Sequence, residues 1–67
     1  MYTQSEIYNR LKARLQEAIE KDWQGRALDA VNDAFCYWYY ERLITKDQYE
    51  ELSAIYQAWE NSWTDEN

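Results

Sequence analysis

KDWQGRALDA, residues 21–30, contains the one glycine of the chain, Gly25, and on its reading the architecture turns. Glycine readily takes the left-handed conformation that ends a helix, so Gly25 is read as the stop of a first helix over about 4–23, with a second beginning near Arg26. Read the other way, a single glycine costs only about 1 kcal/mol inside a helix, and helices one and two become one long rod, continuous through Gly25, in a dimeric helical bundle. Short connections make successive helices antiparallel neighbours. The expected fold is therefore all-α: an up-down-up three-helix bundle, with residues 1–67 as one small domain.

Helix starts on either side of this stretch carry a shared signature. In MYTQSEIY, Thr3 as N-cap places Glu6 at the third helical position, so hydroxyl and carboxylate satisfy each other's backbone N–H groups. Tyr2 and Ile7 flank that capping box as a hydrophobic staple. LITKDQYEEL repeats the device, with Thr45 and Gln48 as the box and Ile44 and Tyr49 as the staple. Helix one then carries Ile7, Tyr8, Leu11, Leu15, Ala18 and Ile19 on one face. Helix two, about 26–43, is expected to bury Leu28, Val31, Phe35, Trp38 and part of Tyr39. Helix three, about 46–63, carries Leu52, Ile55, Tyr56, Trp59 and Trp63 in a stripe, and residues 64–67 are expected to fray.

Composition agrees with this plan. Proline is absent, which with a single glycine leaves few of the turn residues that punctuate a multi-stranded β protein. A chain of 67 residues is near the lower limit for a self-sufficient core, and the 18% aromatic share, with four Trp and seven Tyr, supplies large buried areas from few residues. No apolar run approaches the roughly 20 residues that cross a bilayer, so no membrane association is expected. One cysteine, Cys36, forms no internal disulfide, and no secretory leader pattern is visible; a cytoplasmic location is the expectation.

The net charge of -6 is unevenly placed. Residues 1–26 hold five bases against four acids, whereas residues 27–67 hold nine acids and only Arg42 and Lys46 as bases. Such a surface repels phosphate, which argues against direct nucleic-acid binding and for a protein partner with a basic surface.

The block AFCYWYYERL, residues 34–43, packs five aromatics into six consecutive positions. At about 100° per residue, Phe35, Trp38 and Tyr39 are expected to point to the core and Cys36 to lie at a flank. Tyr37 and Tyr40 are expected to point outward, on the side of Arg26, Asp29 and Asp33. Two tyrosines one turn apart form a platform of the kind enriched in binding hot spots. The expected partner-binding set is therefore Tyr37 and Tyr40, rimmed by Asp29, Asp33 and Glu41, with a second acidic face from Asp47, Glu50 and Glu51. Those acids, with Glu60, Asp65 and Glu66, are candidates for imitating a phosphate row in a partner's basic groove. The same aromatic platform also suits a homodimer.

Catalytic chemistry has little to work with. Histidine is absent, which removes the commonest general base and metal ligand. Cys36 has no second cysteine or histidine to activate it or share a metal, and no glycine-rich phosphate loop occurs. Neighbouring carboxylates such as Glu50 and Glu51 diverge by about 100° on a helix. No enzyme activity, cofactor or metal is expected. In size, acidity and aromatic content, though through no motif, the chain resembles the small acidic helical inhibitors encoded by phages and mobile elements. Some of these block nucleic-acid-binding defence enzymes by occupying basic sites. The resemblance implies a non-catalytic inhibitor, a DNA mimic among the candidates; the alternative is a structural or regulatory homo-oligomer.

Overall fold

The computed structural model describes residues 2–64, with side chains through Ser62. The expected place of Trp63 in the core stripe and the expected fraying of residues 65–67 lie outside the described residues. Helix α1 spans Gln4–Glu20, α2 spans Gln24–Tyr39 and α3 spans Lys46–Thr64, and among the described residues there is no strand.

Both anticipated capping boxes form. The Thr3 hydroxyl accepts from the Glu6 N–H at 3.2 Å while the Glu6 carboxylate accepts from the Thr3 N–H at 3.1 Å. These hydrogen bonds, the Thr3 backbone first and its hydroxyl second, hold the Glu6 carboxyl below its ordinary range. At α3 the Thr45 hydroxyl and the Gln48 amide oxygen make the equivalent pair, each at 3.0 Å.

Gly25 does not end α1. The left-handed residue is Asp22, at φ 59°, and Gly25 lies within the first turn of α2 with an ordinary helical φ. The Asp22 N–H donates to the Ile19 carbonyl at 3.1 Å and the Trp23 N–H to the Ala18 carbonyl at 2.7 Å. Together these bonds make a Schellman motif, three residues earlier than the glycine would have placed the stop. Aspartate is among the few non-glycine residues that enter this conformation readily. Trp23 lies under two cations, with Lys21 at 4.7 Å and Arg26 at 4.9 Å from its ring. The break at 21–23 removes the continuous rod and leaves three separate helices in mutual contact.

Helix α2 also ends earlier than expected. Arg42 turns left-handed at φ 56°, and the Leu43 N–H returns to the Tyr37 carbonyl at 2.7 Å. Tyr37 lines a surface cleft with Tyr2, just before α1, and with Ile7 and Leu11 of its first half, whereas Arg26 and Asp29 line another with Glu17 and Ala18 of its last turns; α1 and α2 are antiparallel. Phe35 and Trp38 meet Tyr49 near the start of α3, so the third helix reverses again.

Leu11, Leu15 and Ala18 of α1 meet Leu52 and Tyr56 of α3 and Ile44 of the preceding loop in the core. The α1 stripe is thus as expected, and so is that of α3 from Leu52 to Trp59. Helix α2 is rotated: its buried residues are Ala27, Ala30 and Ala34. The expected inner residues Val31, Phe35 and Trp38 are half-buried, while Leu28 is 45% and Tyr39 55% exposed. Leucines and Tyr56 from the other two helices already fill the interior, so the third contributes small side chains that let its backbone approach closely.

Candidate protein-binding face of the second helix

Because alanines take the inner face of α2, its bulk lies outside. Phe35 stacks on Tyr39 with ring centroids 5.3 Å apart, and Tyr40 meets both edge-on, at 6.1 Å from Phe35 and 5.0 Å from Tyr39. Trp38 stacks on Tyr49 at 5.0 Å, and Tyr49 meets Phe35 edge-on at 5.8 Å. Five rings from two helices form a continuous sheet of aromatic surface. Its outermost member, Tyr40, is 70% exposed.

The expected outward pair therefore divides. Tyr40 lies at the surface as anticipated, but Tyr37 is half-buried and packs against the core. Tyr39 takes the outward role, because rotating α2 to bury Ala27, Ala30 and Ala34 carries Tyr37 inward with them. All these residues have helical spacing, so periodicity does not distinguish the two stripes. The overlooked signal is the alanine stripe at steps of three and four.

That rotation exposes a row along the helix: Gly25, Leu28, Asn32, Phe35 and Tyr39, separated by three, four, three and four residues. Four of them are exposed and Phe35 is half-buried. Cys36, also exposed, lies beside the row. None of the six carries a charge, in a chain of which 30% is charged. At the C-terminal end of the row opens a cleft of about 530 Å³ lined by Trp38, Tyr39, Arg42, Ile44, Thr45 and Lys46. It gathers both basic side chains of residues 27–67.

The acidic residues do not assemble into one row. Asp33 pairs with Arg14 at 2.9 Å and Glu51 with Lys12 at 3.2 Å, both turning toward α1. Glu51 also accepts a hydrogen bond from the Tyr8 hydroxyl, which with Lys12 holds its carboxyl below the ordinary range. The same contact pushes the Tyr8 hydroxyl up, chiefly because ionising it would forfeit the bond to Glu51. Glu50 lies 4.0 Å from Lys46, and Glu60 neighbours Tyr56, whose hydroxyl is pushed up first by burial and then by the Glu60 charge. Among the described residues Asp29, Glu41 and Asp47 are exposed and form no ion pair. Asp65 and Glu66 lie outside the described residues.

Among the described residues no three His, Cys, Asp or Glu side chains are grouped to hold a metal ion, and no helix is long and apolar enough to cross a membrane. No protein family, curated protein or solved structure gives a significant match to this chain.

Proposed function

We propose that this chain is a non-catalytic protein-binding module that works through the outward face of α2, with Phe35, Tyr39 and Tyr40 as its anchors. The observation that carries this reading is the uncharged row from Gly25 to Tyr39, on the solvent side of a helix whose buried side is alanine. Binding interfaces are depleted of charge at their centre and enriched in Tyr, Trp and Phe. A purely solvated helix face normally carries charged and polar residues. Phe35, held on several sides by other rings, is ordered before a partner arrives, which lowers the entropy cost of docking.

A photo-cross-linking side chain at Asn32, in the protein's native host, should capture one discrete protein species. The same group at Gln57, exposed on α3, should not. Equal, diffuse capture at both positions would sink the reading.

A second reading, an acidic inhibitor that occupies the basic, nucleic-acid-binding site of a partner, is favoured by the seven excess negative charges of residues 27–67 and by unpaired Asp29, Glu41 and Asp47. Glu51, Asp33 and Glu50 contribute less to it, since each has a cation within its own fold. Binding of that kind weakens steeply as salt rises, whereas docking through the aromatic face is nearly indifferent to salt.

A further inference from the structure

We propose that the partner on the α2 face is a second copy of this chain, seated helix against helix in parallel, with Asn32 meeting the Asn32 of its partner. This rests on reading that face as the binding surface and goes on to identify its occupant.

The first argument is spacing. Gly25, Leu28, Asn32, Phe35 and Tyr39 recur at an average of 3.5 residues, the interval at which one helix meets another along a common seam. A lone asparagine in the middle of such a seam is the residue that sets register between identical helices. Its amide both donates and accepts, so two copies of Asn32 satisfy each other when the helices run parallel and in step. Run antiparallel about Asn32, the amides would still meet, but Phe35 and Tyr39 would face Leu28 and Gly25, so ring meets ring only when the helices are parallel.

Charge is the second argument. Two molecules of net charge -6 repel wherever their acidic surfaces meet. The row itself is uncharged, with Asp29 at its flank, so it is the surface on which two copies approach with least opposing charge, and a two-fold axis sets a patch against itself. Area is the third. If a Tyr or Phe side chain buries about 150–250 Å², the exposed parts of Tyr39, Tyr40, Leu28 and Phe35 amount to roughly 400–500 Å² per copy. A pair then buries about 800–1,000 Å², less than the roughly 1,200 Å² of stable specific interfaces and in the range of weak, transient ones, which suits a reversible dimer. The need is also evident: of nine core residues among those described, four are alanine. Small chains commonly make up such a deficit by association.

Sedimentation equilibrium from low to high micromolar, at low and high salt, tests this directly. The expected result is a monomer–dimer equilibrium that high salt does not weaken. Asn32→Asp, at an exposed position where the monomer loses nothing, should weaken dimerisation about tenfold or more by setting like charges face to face. Phe35→Asp should do the same, and far-ultraviolet circular dichroism confirms that each variant is folded. In a Cys36→Ser background, Asn32→Cys and Tyr39→Cys, made separately, should each form an intermolecular disulfide under mild oxidation, because a parallel, in-register pair brings every position of the seam within the about 7 Å Cα separation that a disulfide tolerates, whereas an antiparallel pair does so at one position only.

A wild-type monomer throughout the range overturns the proposal, as does a dimer indifferent to both charged variants. Failure of either disulfide in a protein that dimerises overturns the parallel arrangement. The reading beneath it fails separately: a monomer whose Asn32 cross-links to a different protein keeps the α2 face as a binding surface and removes only the second copy.

Discussion

Helices α1 and α2 are 17 and 16 residues long and pack side by side, yet they place their bulk on opposite sides. Helix α1 turns Leu11 and Leu15 inward, opens with a reciprocal capping box and closes with a Schellman motif. Helix α2 turns alanines inward and Leu28, Phe35 and Tyr39 outward, its N-cap Trp23 makes no side-chain hydrogen bond, and its first turn contains Arg26 and no acid. That arginine opposes the helix dipole. The first helix is specified locally; the second is held by what surrounds it. Which face of a helix is buried follows from the volume its neighbours leave, and the larger side chains need not be the inner ones.

The sharpest way to break this contrast is truncation on each helix. Leu15→Ala, at a position 1% exposed, should cost about 2–5 kcal/mol, enough to unfold a domain of this size, whereas Leu28→Ala in dilute monomer should cost well under about 1 kcal/mol. Urea denaturation measures both, and equal costs at low concentration would mean that α2 does not present Leu28 to solvent.

Enlarging the inner face of α2 probes the other half of the contrast. Ala34→Leu, where the side chain is fully buried, should cost about 1–3 kcal/mol through overpacking. A variant as stable as wild type would show that α2 has room to rotate and bury its larger stripe.

Local specification should register at about 1 kcal/mol. Thr3→Ala and Thr45→Ala each remove one side of a capping box and should destabilise by about that amount. Gly25→Ala should stabilise by up to about 1 kcal/mol, because the glycine is helical and a methyl group there meets nothing within 4 Å. Were Gly25→Ala destabilising by thermal melting, the left-handed stop would belong at residue 25 after all.

The smallest effect concerns the tie from α1 to α3. The Tyr8 hydroxyl and Lys12 lower the Glu51 carboxyl from an ordinary value of 4.5, so ionised Glu51 favours the folded state. Its contribution is complete above about pH 4.5 and is lost as pH falls through the lowered folded-state value. Glu51→Gln should therefore melt below wild type near neutrality, with the gap closing toward acid. A gap that stays constant from pH 7 to pH 3 would show that the carboxylate charge plays no part.

How much of this was legible in advance depended on how far each feature reaches along the chain. Thr3 with Glu6 and Thr45 with Gln48 span three residues and are completed by their own backbone, so both helix starts were readable. The α1 stripe was readable because its apolar residues share one face. The stop of α1 was misplaced because glycine is the commonest left-handed residue, while Asp22 serves here with the Schellman bonds closing onto Ile19 and Ala18. Tyr37 was misplaced because the two α2 stripes are periodic alike. The Lys12–Glu51 and Arg14–Asp33 pairs join different helices, and no spacing announces them.

Short-range hydrogen bonding, periodicity and composition were enough to specify an all-helical chain, two helix starts and a surplus of aromatic side chains, while they left a first and second helix or one long rod both open. The break between α1 and α2, and the placing of Tyr39 outside and Tyr37 within, came from packing between helices. Leucines and a tyrosine from α1 and α3 had already filled the space between the helices, and what remained was wide enough for alanine.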